Sequence, residues 1–347
     1  MMRYRLLLAA FVCAFLGGEG GVSAQNGATD YLKDLQPYHP HQQVSGTIRV
    51  WGNDQVQGLM QEWQAGLSKV QPNLHFQSTL PGTEAAMAGL YANIADLVFV
   101  GREPYPPEIH AFEERFGYAP LEVRFTSGSY AAPDKDFSLM VFVHKNNPLQ
   151  HLTMGQLALV FGCGCDAAGK PLLTWGQLGL TGAWATQPVH VYGYTLETGM
   201  SIFFQHVVLH DSQRWNSTMK MFDNGYHPDG KVINAGVYVL QALARDPDGI
   251  AYANLFYASP GVKTIALGKN SNGPFIAPTP KTTWLREYPL TRYSTVFLNR
   301  KPGQPIDPKL REFLLYILSK EGMAAVVRHA YLPLDEKSTA EERRKLR

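Results

Sequence analysis

The feature that most constrains the fold is a repeated switch of hydrophobic period along the chain. Apolar residues alternate over 47–51 as in a strand, and then Val56, Leu59, Met60, Trp63, Leu67 and Val70 recur at helical spacing. The same order returns. Residues 74–78 read as a strand, 84–92 as a helix and 97–100 as a buried strand, and Pro106-Pro107 open a helix that Gly117 closes. An apolar strand over 138–143 leads into the turn Asn146-Asn147-Pro148 and a helix over 153–161 with Gln156 at capping-box spacing. A strand over 189–192, helices over 200–209 and 235–244, and a strand over 250–252 continue the series. This alternation predicts an α/β fold of open, mostly parallel sheets flanked by helices, with ligands at the carboxyl ends of strands. A chain of 347 residues that is 45% hydrophobic can fill two such units.

Arg3 and Arg5 precede an apolar run over 6–16, and a Gly-rich stretch ends in Val22-Ser23-Ala24, the pattern of a cleaved export signal over 1–24. The run is short of the roughly 20 apolar residues needed to span a membrane. The mature protein is therefore expected to be soluble and periplasmic or secreted. Phe11-Val12 before Cys13 argues against a lipid anchor there. Loss of the signal takes 31 basic and 29 acidic residues to 29 and 28, a formal charge of +1 that gives no basis for binding nucleic acid. Cys163 and Cys165, in Gly162-Cys163-Gly164-Cys165-Asp166, are the cysteines left in an oxidising compartment. A disulfide between them would close a very short, strained loop, and two thiolates fall short of a four-ligand zinc site, so local pairing and a redox or metal role both stay open.

Three loops between a strand and a helix carry small polar residues: Gly52-Asn53-Asp54-Gln55, Pro81-Gly82-Thr83 and Glu197-Thr198-Gly199-Met200. A helix N-terminus leaves backbone N–H groups unpaired and carries partial positive charge, so it binds an oxyanion without a basic side chain. The same residue types also serve as ordinary caps and turns.

Longer segments resemble the phosphate-binding proteins of ABC transporters, in order from about residue 46 to 334. Ala95-Asp96-Leu97 followed by Gly101-Arg102-Glu103-Pro104 is similar to that family's D-I-(small)-x-S-S-R-P segment, and residues 141–149 are similar to its first crossover strand. Leu152-Thr153 with Gln156-Leu157 and Val160-Phe161-Gly162 resembles L-T-x-x-Q-L-x-x-I-F-x-G. Trp175-Gly176-Gln177-Leu178-Gly179 and Asp248-Gly249-Ile250-Ala251-Tyr252 resemble W-x-x-L-G and G-A-I-G-Y. Tyr288-Pro289-Leu290-Thr291-Arg292, Leu318-Ser319-Lys320-Glu321-Gly322 and Tyr331-Leu332-Pro333-Leu334 follow the family at the end of the chain.

The resemblance implies a two-lobed type II periplasmic-binding-protein fold. Lobe 1 is expected from 46–141 plus 275–334, lobe 2 from 142–274, with a polar leader over 25–45 and a charged, solvated tail over 335–347. It implies hinge closure on a small oxyanion, phosphate first, by a monomer that serves an ABC permease and needs no cofactor or metal. The family's oxyanion loops map onto Asn53, Asp54 and Gln55, onto Gly82 and Thr83, onto Arg102, and onto Thr198, Gly199 and Met200.

Departures fall inside these loops. Asn53-Asp54 stands where the family is rich in Gly, Ser and Thr, and Tyr194 stands where an Arg usually begins the third loop. Glu84 and Glu197 add negative charge, which leaves Arg102 as the cation of the site. A sensor or adhesion module of the same fold, with an altered ligand, is the reading these departures permit. No Gly-x-Ser-x-Gly, His-Glu-x-x-His or Gly-x-x-x-x-Gly-Lys-Ser/Thr pattern occurs, so no enzymatic role is expected. His206 and His210, four apart among apolar neighbours, read as core or surface histidines rather than metal ligands.

Overall fold

A computed structural model describes residues 31–133, 135, 138–163 and 174–347; the expected signal segment and Cys165 lie outside them. The first part of the chain runs β1 (Gly46–Gly52), α1 (Gln57–Leu67), β2 (Leu74–Thr79), α2 (Ala86–Tyr91), β3 (Leu97–Val100), α3 (Pro106–Phe116) and β4 (Leu121–Thr126). Next come β5 (Met140–His144), β6 (His151–Thr153), α4 (Met154–Phe161), β7 (His190–Tyr194), α5 (Gly199–Leu209), β8 (Lys220–Phe222), β9 (Gly225–Tyr226), β10 (Val232–Ile233), α6 (Ala235–Leu243) and β11 (Gly249–Ala253). The chain ends with β12 (Val262–Thr264), β13 (Ala266–Gly268), β14 (Phe275–Ile276), α7 (Pro280–Trp284), β15 (Ser294–Leu298), α8 (Pro308–Ile317), α9 (Lys320–Arg328) and α10 (Glu336–Lys345).

Local chemistry sets these boundaries. Proline at the start of α3 needs no N–H partner, and Gly117 ends the helix at φ +78°. Thr153 caps α4, its hydroxyl accepting the Gln156 N–H while Gln156 Oε1 accepts the Thr153 N–H. Val70 falls beyond the end of α1 and is 40% exposed, so the helical face ends at Leu67. Strand β4 carries an alternation that also marks it in sequence: Val123 and Phe125 face the core while Glu122 and Arg124 face outward.

Two five-stranded sheets form two lobes, in the orders β2-β1-β3-β15-β4 and β12-β5-β11-β7-β8. Each sheet has one reversed strand: β15 pairs antiparallel with β3 and β4, and β5 pairs antiparallel with β11 and β12. These are the strands by which the chain enters a lobe from the other one. Their approaches are joined, with Leu139 N–H bonded to Leu290 O at 3.1 Å. The fold is therefore the mostly parallel, two-lobed α/β architecture expected. β5 begins at Met140, β14 pairs with β13, and Tyr288 and Leu290 pack into the core of lobe 2, so that lobe extends beyond 142–274 at both ends.

Lobe 1 is centred on Trp63, with Phe99, Phe125 and Phe313 around its ring and its indole N–H bonded to Gly322 O at 2.9 Å. In lobe 2 the rings of Phe204 and Tyr252 stack at 4.1 Å, with Phe161 against both. Leader and tail both pack on lobe 1. Glu312, fully buried on α8, accepts the Tyr38 O–H at 2.6 Å and the His41 N–H at 3.2 Å. The 335–347 segment differs from the solvated run expected: it is helix α10, laid along β4. Its Glu342, also fully buried, accepts the Arg124 N–H at 3.1 Å and pairs with Lys345 at 2.7 Å, and Leu346 is buried. The neighbouring cations let a carboxylate enter a low-dielectric place.

Candidate anion-binding cleft

The carboxyl ends of β1, β2 and β3 lie side by side because β1 pairs in parallel with both neighbours, Trp51 opposite Thr79 and Gly52 opposite Phe99. Gly52 turns the chain out of β1 at φ +124°, and a Cβ there would lie 2.2 Å from Phe99 O, so this position requires glycine. The three loops that follow are hydrogen-bonded to this frame. Asn53 N–H reaches Phe99 O at 2.9 Å, Gly82 N–H reaches Gly52 O at 3.0 Å, and Thr83 Oγ1 accepts the Gly101 N–H at 3.2 Å. Asn53 is buried, its side-chain oxygen accepting the Gln55 N–H at 3.0 Å; Asp54 is exposed, and Gln55 Oε1 is buried without a hydrogen-bond partner.

Lobe 2 answers with the N-terminus of α5. Thr198 caps it, accepting the Ser201 N–H at 3.3 Å and donating to Thr195 O at 2.9 Å. Ser201 is held beneath by Tyr194 O at 3.1 Å and the Tyr252 hydroxyl at 2.8 Å. Gly199 lies so near Arg102 that an added Cβ would be 3.2 Å from the Arg102 Cδ, which makes it one contact between lobes. Tyr105 O–H approaches Glu197 O at 3.5 Å across the same gap. The structure brings 53–55, 82–83 and 102 together at one end of the lobe 1 sheet, with Gly199 of the 198–200 segment against Arg102.

Arg102 does not stand there as a free cation. It is 5% exposed, and its five N–H groups all have protein acceptors. Nε and Nη2 donate to Glu84 at 3.2 and 2.8 Å, Nη1 and Nη2 to Glu108 at 2.9 Å each, and Nη1 to Glu103 O at 3.1 Å. The Tyr105 ring covers the guanidinium at 3.5 Å. Burial opposes the charge, but the bonds from Glu108 and Glu84 outweigh it and hold Arg102 above the ordinary arginine range. Burial likewise raises Tyr105, which stays a neutral phenol. Direct coordination of an anion by Arg102 therefore requires one of these acceptors to leave.

The expectation of a single cation misses Arg292. This residue precedes β15, is fully buried, and bonds Glu103 Oε2 through Nη2 at 2.6 Å. Its Nη1 lies 3.8 Å from Met200 Sδ, the Phe203 ring is 4.9 Å away, and Nε has no acceptor. Within Tyr288-Pro289-Leu290-Thr291-Arg292 the sequence signal was an arginine just ahead of the returning strand. Glu103 and Glu108 are the other site residues that loop composition overlooks. At the other candidate positions, His206 Nδ1 lies 3.0 Å from Asp211, and Cys163 is exposed at the end of α4. Among the described residues no helix is long and apolar enough to cross a membrane.

No protein-family profile matches the chain. Two solved structures share its fold: PstS from Borrelia burgdorferi, 16% identical over 84% of this chain and 100% of that one with a TM-score of 0.56, and an ABC-type phosphate transport receptor from Vibrio cholerae, 16% identical over 82% and 99% with a TM-score of 0.54. Similarity to the phosphate-binding protein PstS of Pseudomonas aeruginosa is closer, at 31% identity over 342 residues, 97% of each chain. Sharing that much sequence along nearly its whole length, and the two-lobed fold with it, this chain belongs to the PstS family of phosphate-binding proteins.

Proposed function

We propose that this protein is an extracytoplasmic phosphate-binding protein that captures the anion between its lobes, leaves it chemically unchanged, and passes it to an ABC permease. The observation that carries this reading is the 31% identity to a phosphate-binding protein over 97% of both chains. The cleft supports it. An eleven-residue helix, α5, begins beside Arg102 of the loop after β3, and a helix N-terminus offers backbone N–H groups and partial positive charge to an oxyanion. In this reading Asn53, Asp54, Gln55, Gly82, Thr83, Arg102, Thr198, Gly199 and Met200 line the anion, largely through backbone groups, and Arg292 adds a second positive charge. The protein acts as a monomer, exported by its N-terminal segment.

Calorimetric titration of the mature protein with phosphate, sulfate, arsenate and molybdate tests this. One phosphate per chain is expected, and at a hundredfold excess over Kd it stabilises the fold by about 2.7 kcal/mol. Absence of both heat and thermal shift with every oxyanion overturns the assignment.

A further inference from the structure

We infer that Glu84 is a built-in competitor for the anion, its carboxylate occupying the edge of Arg102 that an oxyanion must take. The inference rests on the phosphate reading above. Two carboxylates share one guanidinium, and they are held very differently. Glu108 is 15% exposed, bonds Arg102 through both oxygens, and also accepts the Tyr105 N–H at 2.6 Å at the start of α3. It is a fixed part of the wall. Glu84 is 73% exposed, and both of its carboxylate bonds go to Arg102. It stands on a single turn, Thr83–Ala85, just after Gly82 at φ +120°.

The geometry of the Glu84 contact is that of an oxyanion. Two oxygens meet two N–H groups on one edge of the guanidinium, the side-by-side arrangement that arginine offers to carboxylate and phosphate alike. With Glu84 and Glu108 both in place, the Arg102 cluster carries one net negative charge and has no N–H to give. Swinging Glu84 into water removes one negative charge from the edge, frees Nε and one Nη2 hydrogen, and leaves the Glu108 pairing intact. Glu84 has water available as it leaves, so its release is easy. Gly199 lies against the Arg102 side chain, so the freed edge opens beside the N-terminus of α5. Phosphate binding is thereby weakened by a displacement step, and Glu84 sets the threshold concentration at which the cleft fills.

The test is titration of inorganic phosphate into wild type, Glu84→Gln and Glu114→Gln, followed by calorimetry. Glu114 is exposed on α3, so its substitution matches the change in net charge without touching the Arg102 cluster. Phosphate affinity is expected to rise about tenfold in Glu84→Gln, as loss of one close repulsion implies, and to stay within about twofold in Glu114→Gln. Equal or weaker binding by Glu84→Gln, or an equal gain in Glu114→Gln, overturns the inference and leaves the phosphate reading standing. Silence of all three proteins overturns both.

Discussion

Lobe 1 and lobe 2 share a plan, four strands running one way and one reversed, but they are filled differently. Among the described residues, the buried Arg102, Arg292, Glu312 and Glu342 all belong to lobe 1. Lobe 2 buries the amides and hydroxyl of Asn147, Asn254 and Ser201, and its core is built on stacked rings. Lobe 1 thus spends buried charge on fastening chain segments and loops, and lobe 2 brings the N-terminus of α5 with the exposed Glu197 beside its cap. The two arginines at the cleft, Arg102 and Arg292, and their glutamate partners therefore all come from lobe 1.

The comparison breaks most visibly if lobe 2 tolerates loss of volume. Phe204→Ala removes a ring packed against Tyr252, Phe161 and Trp215 and is expected to cost about 3–5 kcal/mol in urea unfolding. A cost below about 1 kcal/mol would show that ring packing does not hold this lobe. In lobe 1 the sensitive change is polar. Glu312→Ala leaves the Tyr38 hydroxyl and the His41 N–H without their acceptor and should cost about 2–3 kcal/mol, while Glu312→Gln, which keeps an acceptor oxygen, should cost less. Equal losses for the two variants would point to packing and not to the hydrogen bonds.

The smallest effect concerns pH. Burial works against the charge of Asp96, yet hydrogen bonds from the Arg49 side chain and backbone N–H outweigh it and hold the carboxyl below the usual aspartate range. A depressed folded value means the stabilisation is fully present above about pH 4 and fades as pH falls through the folded value. Asp96→Asn should therefore cost about 1 kcal/mol at pH 7 and progressively less toward pH 2, read from urea midpoints across that range. A cost independent of pH would assign the effect to the amide geometry and not to charge.

Elements defined by neighbours in the chain were legible in the sequence. Thr153 and Gln156 are three residues apart, and Pro106 and Gly117 bound a helix between them, so periodicity and capping found those helices close to where they lie. The loops of the cleft were legible as loops for the same reason. What escaped was pairing over distance. Glu103 meets Arg292 from 189 positions away, and Glu84 meets Arg102 only because β2 and β3 flank β1. A carboxylate near a proposed anion looks like a bare negative charge in sequence, and only the fold shows that Glu84 and Glu108 share the guanidinium of Arg102. The tail misled similarly. Its charges read as solvated, but Asp335 caps α10 and Arg124 of β4 receives Glu342, a partner more than two hundred residues away.

The docking of both outer segments on lobe 1 also decides how the molecule carries force. Residues 35–44 are fixed through Glu312 and Gln71, and α10 is fixed to β4, so a pull at either segment runs through lobe 1 alone. Lobe 2 is joined through the two crossing strands and the cleft contacts of Arg102, Tyr105 and Arg292. A surface tether, tag or bead attached at either outer segment is therefore expected to load lobe 1 first, and two labels placed there are expected to report a constant distance. Only a pair with one member on each lobe reads the opening of the cleft.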